Sequence, residues 1–148
     1  MIVLVDSREQ APWTFEGQGM TLQTARLDTG DYSLPGLEHS VTIERKSLDD
    51  WVGTVMRSRG RFYRELERMR AYRFRAVIIE AGVREIMAGR YKSGARPSAV
   101  LGFISEIIVC QSVPVYLGGS RPEAQILAGA LLRTAAHRIP QHGHQDQG

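Results

Sequence analysis

Val41-Thr42-Ile43-Glu44-Arg45-Lys46 is the stretch whose reading decides the fold. It alternates as a strand does, with successive side chains on opposite faces. Thr42, Glu44 and Lys46 then share one face, and Val41, Ile43 and Arg45 the other. Thirteen residues earlier stands Asp31, in the turn Gly30-Asp31-Tyr32. A carboxylate and an ammonium on one strand face, with a second carboxylate delivered from a turn, are the parts needed to hold a divalent metal and a water against a phosphodiester. A Glu-x-Lys pair alone is more often a solvated ion pair. Joined to Gly30-Asp31 and to Asp6 at the end of the apolar run Ile2 to Val5, it favours catalysis.

The order of elements around this strand indicates an α/β fold with a mixed sheet. Ile2 to Val5, Thr21 to Leu27 and Tyr32 to Leu34 read as strands, and Gln10 to Met20 as a loop. Ser47 followed by Asp50 is a capping pattern that starts a helix through about Met56. Gly60 interrupts, and Arg61 to Ala71 continues with Phe62, Leu66 and Met69 on one side. Phe74 to Glu80 has the apolar run of a central strand. Pro97 to Gln111 is apolar nearly all round, a buried helix or a dimer-forming one. Val113 to Leu117 is a last strand, and Ser120 with Glu123 caps a final helix. One domain is expected over 1–138, with a disordered polar tail over 139–148 in which His142 and His144 have no role.

The 148 residues are 43% hydrophobic and carry a net charge of +3, which suits one domain with its own core. Positive charge is concentrated: Arg57 to Arg75 contains eight arginines against Glu65 and Glu67, a distribution expected of a surface that tracks a phosphate backbone. Arg57, Arg59, Arg61, Arg64 and Arg68 are the DNA-binding candidates, and the loop Arg90 to Arg96 is a second, weaker one. The single cysteine, Cys110, reads as a buried core residue and excludes an internal disulfide. Trp13, Phe15 and Trp51 read as core residues ahead of base-stacking ones. The apolar N-terminal run is too short for a signal peptide or a membrane span, and a cytoplasmic setting, nucleoid-associated in a prokaryote, is expected.

Asp31 and Glu44 are the expected direct ligands of Mg2+, with Mn2+ able to substitute, and Asp6 a ligand directly or through water. Lys46 orients or deprotonates the attacking water and stabilises developing charge. Arg45, on the inward face, needs a carboxylate partner, Asp50 or Glu9, because an unpaired buried charge is costly.

Val5-Asp6-Ser7-Arg8-Glu9, Gly30-Asp31-Tyr32 and Glu44-Arg45-Lys46 with Asp50 four beyond the lysine resemble the nuclease domain of the XPF family of structure-specific endonucleases. The likeness continues through Gly60-Arg61-Phe62-Tyr63 and Val77-Ile78-Ile79-Glu80, over nearly the whole chain. It implies a single restriction-endonuclease-like domain, a mixed β-sheet flanked by helices. It also implies metal-dependent incision of branched, flapped or forked DNA, as in repair and recombination. Catalytic standing passes to Asp6, Arg8, Asp31, Glu44, Arg45, Lys46 and Asp50, and more weakly to Glu9. Larger members carry helix-hairpin-helix motifs, which this sequence lacks, so affinity would come from the arginines, a partner or a homodimer through the C-terminal helices. The alternative is a non-catalytic DNA-binding subunit of a nuclease complex; such a subunit would have lost its acidic ligands, and here each one is present.

Overall fold

A computed structural model describes residues 1–141. Six strands form one mixed sheet in the order β2-β1-β3-β4-β5-β6: β1 (Ile2–Asp6), β2 (Thr21–Ala25), β3 (Tyr32–Ser33), β4 (Val41–Ser47), β5 (Phe74–Glu80) and β6 (Val115–Leu117). β1 pairs parallel with β2 and antiparallel with β3, β3 pairs antiparallel with β4, and β4, β5 and β6 run parallel. The restriction-endonuclease-like mixed sheet flanked by helices, in one domain, is the observed architecture.

β5 explains why both faces are covered. Val77 and Ile79 point into one core and Ala76 and Ile78 into the other, so a strand in the sheet's interior has no solvated face. On the first side lie α1 (Leu48–Arg57), α2 (Arg59–Met69) and α4 (Pro97–Cys110), with Trp51 stacked on Phe103 and edge-on to Phe62. On the second lies α5 (Arg121–Arg138), which presents Ala124, Ala128, Leu132 and Ala135. These small residues let the helix sit close to the sheet. Trp13, Phe15 and Tyr32 fill the space beside them as a three-ring cluster. The core reading of Trp13, Phe15 and Trp51 stands, each at most 1% exposed.

Both capping patterns form. Ser47 Oγ accepts from the Asp50 amide at 3.1 Å, and Ser120 and Glu123 cap α5 reciprocally. The break between α1 and α2 falls at Ser58 rather than Gly60, which lies inside α2. A short helix, α3 (Val83–Met87), occupies a stretch whose sequence carries no long period. Cys110 is exposed rather than buried. It ends the outer side of α4, where Ile108 and Val109 are also exposed while Val100, Phe103, Ile104 and Ile107 face the core. The helix therefore has a solvated apolar side that its composition alone does not reveal. Ile139 packs on the core beside α5 and Gln141 Nε2 donates to the Pro35 carbonyl. The rest of the expected tail, with His142 and His144, lies outside the described residues. Among the described residues no helix is long and apolar enough to cross a membrane.

Candidate active site

The turn Thr29-Gly30-Asp31 is held to the sheet at three points. Thr42 Oγ1 donates to the Thr29 carbonyl at 3.0 Å, the Asp31 amide to the Ile43 carbonyl at 2.8 Å, and the Asp6 amide to the Asp31 carbonyl at 2.8 Å. Gly30 has φ +77°, and a Cβ there would collide with Thr42 Oγ1 and stand 3.2 Å from the Ile43 carbonyl oxygen. Glycine is required on both counts. The turn thus delivers the Asp31 side chain to β4, where its Oδ2 accepts from the Arg45 amide at 2.7 Å.

The strand alternation of β4 has the expected consequence. Glu44 and Lys46 lie on the face covered by α2, 3.8 Å apart, with the ammonium over the Phe62 ring. Arg45 lies on the other face, beside Trp13, with Nη2 2.7 Å from Glu80 and Nη1 3.5 Å from Glu9. Glu9 is one of the two expected partners. The closer one, Glu80 at the end of β5, is not among them; it pairs in register with Ser47, two residues beyond Arg45 on the same face, and reaches Arg45 diagonally. Glu80 also accepts from Trp13 Nε1 at 3.0 Å and meets Arg121 at 3.4 Å.

Asp50 is not part of this arrangement. Its side chain is exposed and its backbone amide is consumed by the cap at the start of α1. Lys46 leaves the strand on the α2 face, while Asp50 lies in the first turn of the next helix. Asp6 is in the cleft but its two oxygens are occupied: Oδ1 accepts from the Leu27 amide at 2.9 Å and Arg8 Nη2 at 3.2 Å, Oδ2 from Arg8 Nε at 2.8 Å. Arg8 also donates to the Leu27 carbonyl at 2.7 Å. The Asp6–Arg8 pair thereby ties the end of β1 to the segment that follows β2.

Asp6, Arg8, Asp28, Asp31, Glu44 and Glu65 line an open cleft of about 260 Å³, with Arg61 and Arg68 at its side. Glu65 is a cleft residue that the sequence alone marks only as an offset to the arginines. At the α-helical repeat it sits between the buried side of α2 and the arginine stripe, which is the boundary where a helix faces a cleft. Of the stripe, Arg61 and Arg68 reach the cleft, whereas Arg59 is held over the Phe103 ring with Nε donating to the Val55 carbonyl at 2.8 Å. Arg57 lines a separate depression with Asp49 and Lys92.

The electrostatics single out two carboxyls. Burial, with Glu9 and Glu65 nearby, pushes Asp31 up to about 7 against the opposing Arg45 amide. Burial and then the Asp31 and Glu65 charges push Glu44 well above the usual carboxylate range. Asp6 is different: burial pushes it up, but the hydrogen bonds from Arg8 and Leu27 outweigh that and leave it below its ordinary value. A buried and a half-buried carboxylate that repel each other form a hard oxygen donor set, and magnesium is held by one or two carboxylates together with substrate phosphate and water. The residues present therefore fit a divalent cation at Asp31 and Glu44. Among the described residues no three acidic, histidine or cysteine side chains close on a common point as a complete cage.

Comparison with known proteins places this fold. Among curated proteins no sequence matches. XPF from Aeropyrum pernix superposes with a TM-score of 0.71 at 19% identity, over 94% of this chain and 67% of that one. The same protein in complex with DNA gives a TM-score of 0.62 at 19% identity over the same shares. At this identity the likeness is one of fold. The sequence model of the ERCC4 domain matches residues 5–127, most of the chain and every residue of the cleft. The chain belongs to the ERCC4 domain family of nucleases.

Proposed function

We propose that this protein is a metal-dependent DNA endonuclease that hydrolyses phosphodiesters in branched, flapped or forked DNA. The observation that carries the reading is the junction of two features in one cleft: a pair of mutually repelling carboxylates, half-buried Asp31 and buried Glu44, and the arginines Arg61 and Arg68 beside them. The first suits a cation, the second a phosphate backbone. The DNA complex of the Aeropyrum pernix protein supports DNA as the ligand.

In this reading Asp31 and Glu44 hold Mg2+, or Mn2+ in its place, and the ion when bound neutralises charge on the phosphoryl oxygens. Lys46, whose ammonium is 3.8 Å from Glu44, orients the attacking water and stabilises the charge that develops. Asp6 and Arg8 act as one unit that shapes the cleft floor. Arg45 is a positioning residue: its amide aims Asp31 and its side chain anchors β4 to Glu80. Arg61 and Arg68 contact phosphates. A homodimer joined through the exposed Ile108 and Val109 side of α4 would supply further grip, and a sizing measurement tests it.

The decisive experiment incubates flap, fork, junction and plain duplex DNA with the protein in Mg2+ or Mn2+, beside a Glu44→Ala control. Cation-dependent cleavage of a branched substrate, lost in the control, is expected. Absence of cleavage on all four substrates overturns the enzyme and leaves the DNA-binding subunit.

A further inference from the structure

Helix α2 brings a carboxylate of its own to the cleft, beside those of the strands and turns. Glu65 lines it with Asp31 and Glu44, and its carboxyl is within hydrogen-bonding reach of the Glu44 carboxyl. Two carboxyl groups stand that close only when something positive lies between them, a proton or a cation. Glu44 is 8% exposed and, among the described residues, accepts no hydrogen bond from an N–H donor, while its ion pair with Lys46 is long at 3.8 Å.

Glu65 has a simpler alternative that it does not take. Arg61 and Arg68 lie four residues before and three after it, the spacing at which helical ion pairs form. Among the described residues Glu65 makes no ion pair with either. A solvated glutamate on a basic helix would turn to those arginines; this one turns to Glu44.

We infer that Glu65 is an outer ligand of the cation held by Asp31 and Glu44, accepting hydrogen bonds from the water shell of that ion. This rests on the metal-dependent reading given above. Because no three acidic side chains close on a common point, an acceptor one water removed fits the geometry better than a third direct ligand. Magnesium keeps several of its waters, and acceptors that fix the outer shell of a metal typically change its affinity by about 10- to 100-fold. The assignment also gives α2 a double role, since the helix that presents Arg61 and Arg68 to DNA would stabilise the ion.

The test is a titration of the full chain with Mn2+ and no DNA, following free Mn2+ by electron paramagnetic resonance, for the wild type, Glu44→Gln, Glu65→Gln and Glu65→Asp. Thermal unfolding in chelator is recorded for each. Glu65→Gln is expected to weaken Mn2+ binding about tenfold without lowering the unfolding midpoint, and Glu44→Gln to weaken it more. Wild-type affinity in Glu65→Gln, with binding lost in Glu44→Gln, overturns the role of Glu65 and leaves the cation site intact. A wild type that binds no Mn2+, or a Glu44→Gln variant that binds normally, overturns the cation site and this inference with it. Should Glu65→Gln not fold, Glu65→Asp decides: shortened by one methylene, it is expected to bind several-fold more weakly, and unchanged affinity refutes the assignment.

Discussion

The Asp31 carboxylate accepts a hydrogen bond from the backbone amide of Arg45 at 2.7 Å. The turn and the strand that carry the two central acids are therefore fastened by main chain, between Glu44 and Lys46. The two acids are thereby held in one frame. Gly30 is where this fastening is most exposed to a single change. With φ +77° and Thr42 Oγ1 in the path of a Cβ, Gly30→Ala should displace the turn and cost more than about 1 kcal/mol. Cleavage should fall further than stability, because a small misplacement of a reacting group is amplified in rate. Urea unfolding and single-turnover cleavage on the same preparation check the two effects; full activity in a folded Gly30→Ala protein would count against the tether.

Arg45 has its charge met by Glu80 and Glu9, yet among the described residues its buried Nε has no partner. Removing the arginine leaves two glutamates with little exposure facing each other. Arg45→Met should lower the unfolding free energy by about 3 kcal/mol, and Arg45→Lys should recover only part of it, since an ammonium cannot reproduce the planar fork. Chemical denaturation in the absence of metal measures this. Equal stability of the wild type and Arg45→Lys would mean that the pair contributes little.

Lys46→Met should leave the fold and DNA affinity near normal and lower the cleavage rate by about 10²- to 10⁴-fold, the range for loss of a positioned proton-transfer or charge-stabilising group. Single-turnover rates at saturating protein separate this from weakened binding.

Metal-free stability should depend on pH with a defined sign. The folded protein keeps a proton on Asp31 up to about pH 7, whereas the unfolded chain releases it near the ordinary value of 3.8. A group with its folded pKa raised stabilises below the unfolded value and loses that stabilisation as pH rises through the folded one. Glu44 acts in the same direction. The melting temperature in chelator should therefore decline from about pH 4 to 7, and the decline should be shallower in Asp31→Asn. Asp6, held below its ordinary value, acts oppositely and loses its contribution under more acidic conditions. Added Mn2+ should raise the melting temperature more at pH 8 than at pH 5, because the ion competes with protons for the same oxygens.

The arginines should divide by what they touch. Arg61→Gln and Arg68→Gln are expected to weaken DNA binding across sequences, each reducing the salt slope by roughly 0.9. Arg59→Gln should affect binding less, because its guanidinium packs on Phe103 and donates to Val55. Fluorescence anisotropy over a range of salt concentrations distinguishes them, and equal slopes for all three variants would refute the division.

Much of this protein was legible in one dimension because its signals are local. Period-two alternation in β4 placed Glu44 and Lys46 on one face and Arg45 on the other, and side-chain caps marked where α1 and α5 begin. Gly30 marked the turn, since only glycine fits that backbone at that spacing. What tertiary structure alone decided is which groups from distant segments meet. Glu80 reaches Arg45 because β5 lies parallel to β4, and Asp6 is consumed by Arg8 and Leu27 because β1 and β2 end together. Glu65 faces Glu44 because α2 crosses above the sheet, and Asp50 turns to solvent because its helix departs from it. Cys110 is exposed because α4 buries only one side. Sequence periodicity specifies the face of an element; the neighbour on that face is chosen by chain pairing and packing, and the charges in this cleft acquire their properties from those neighbours.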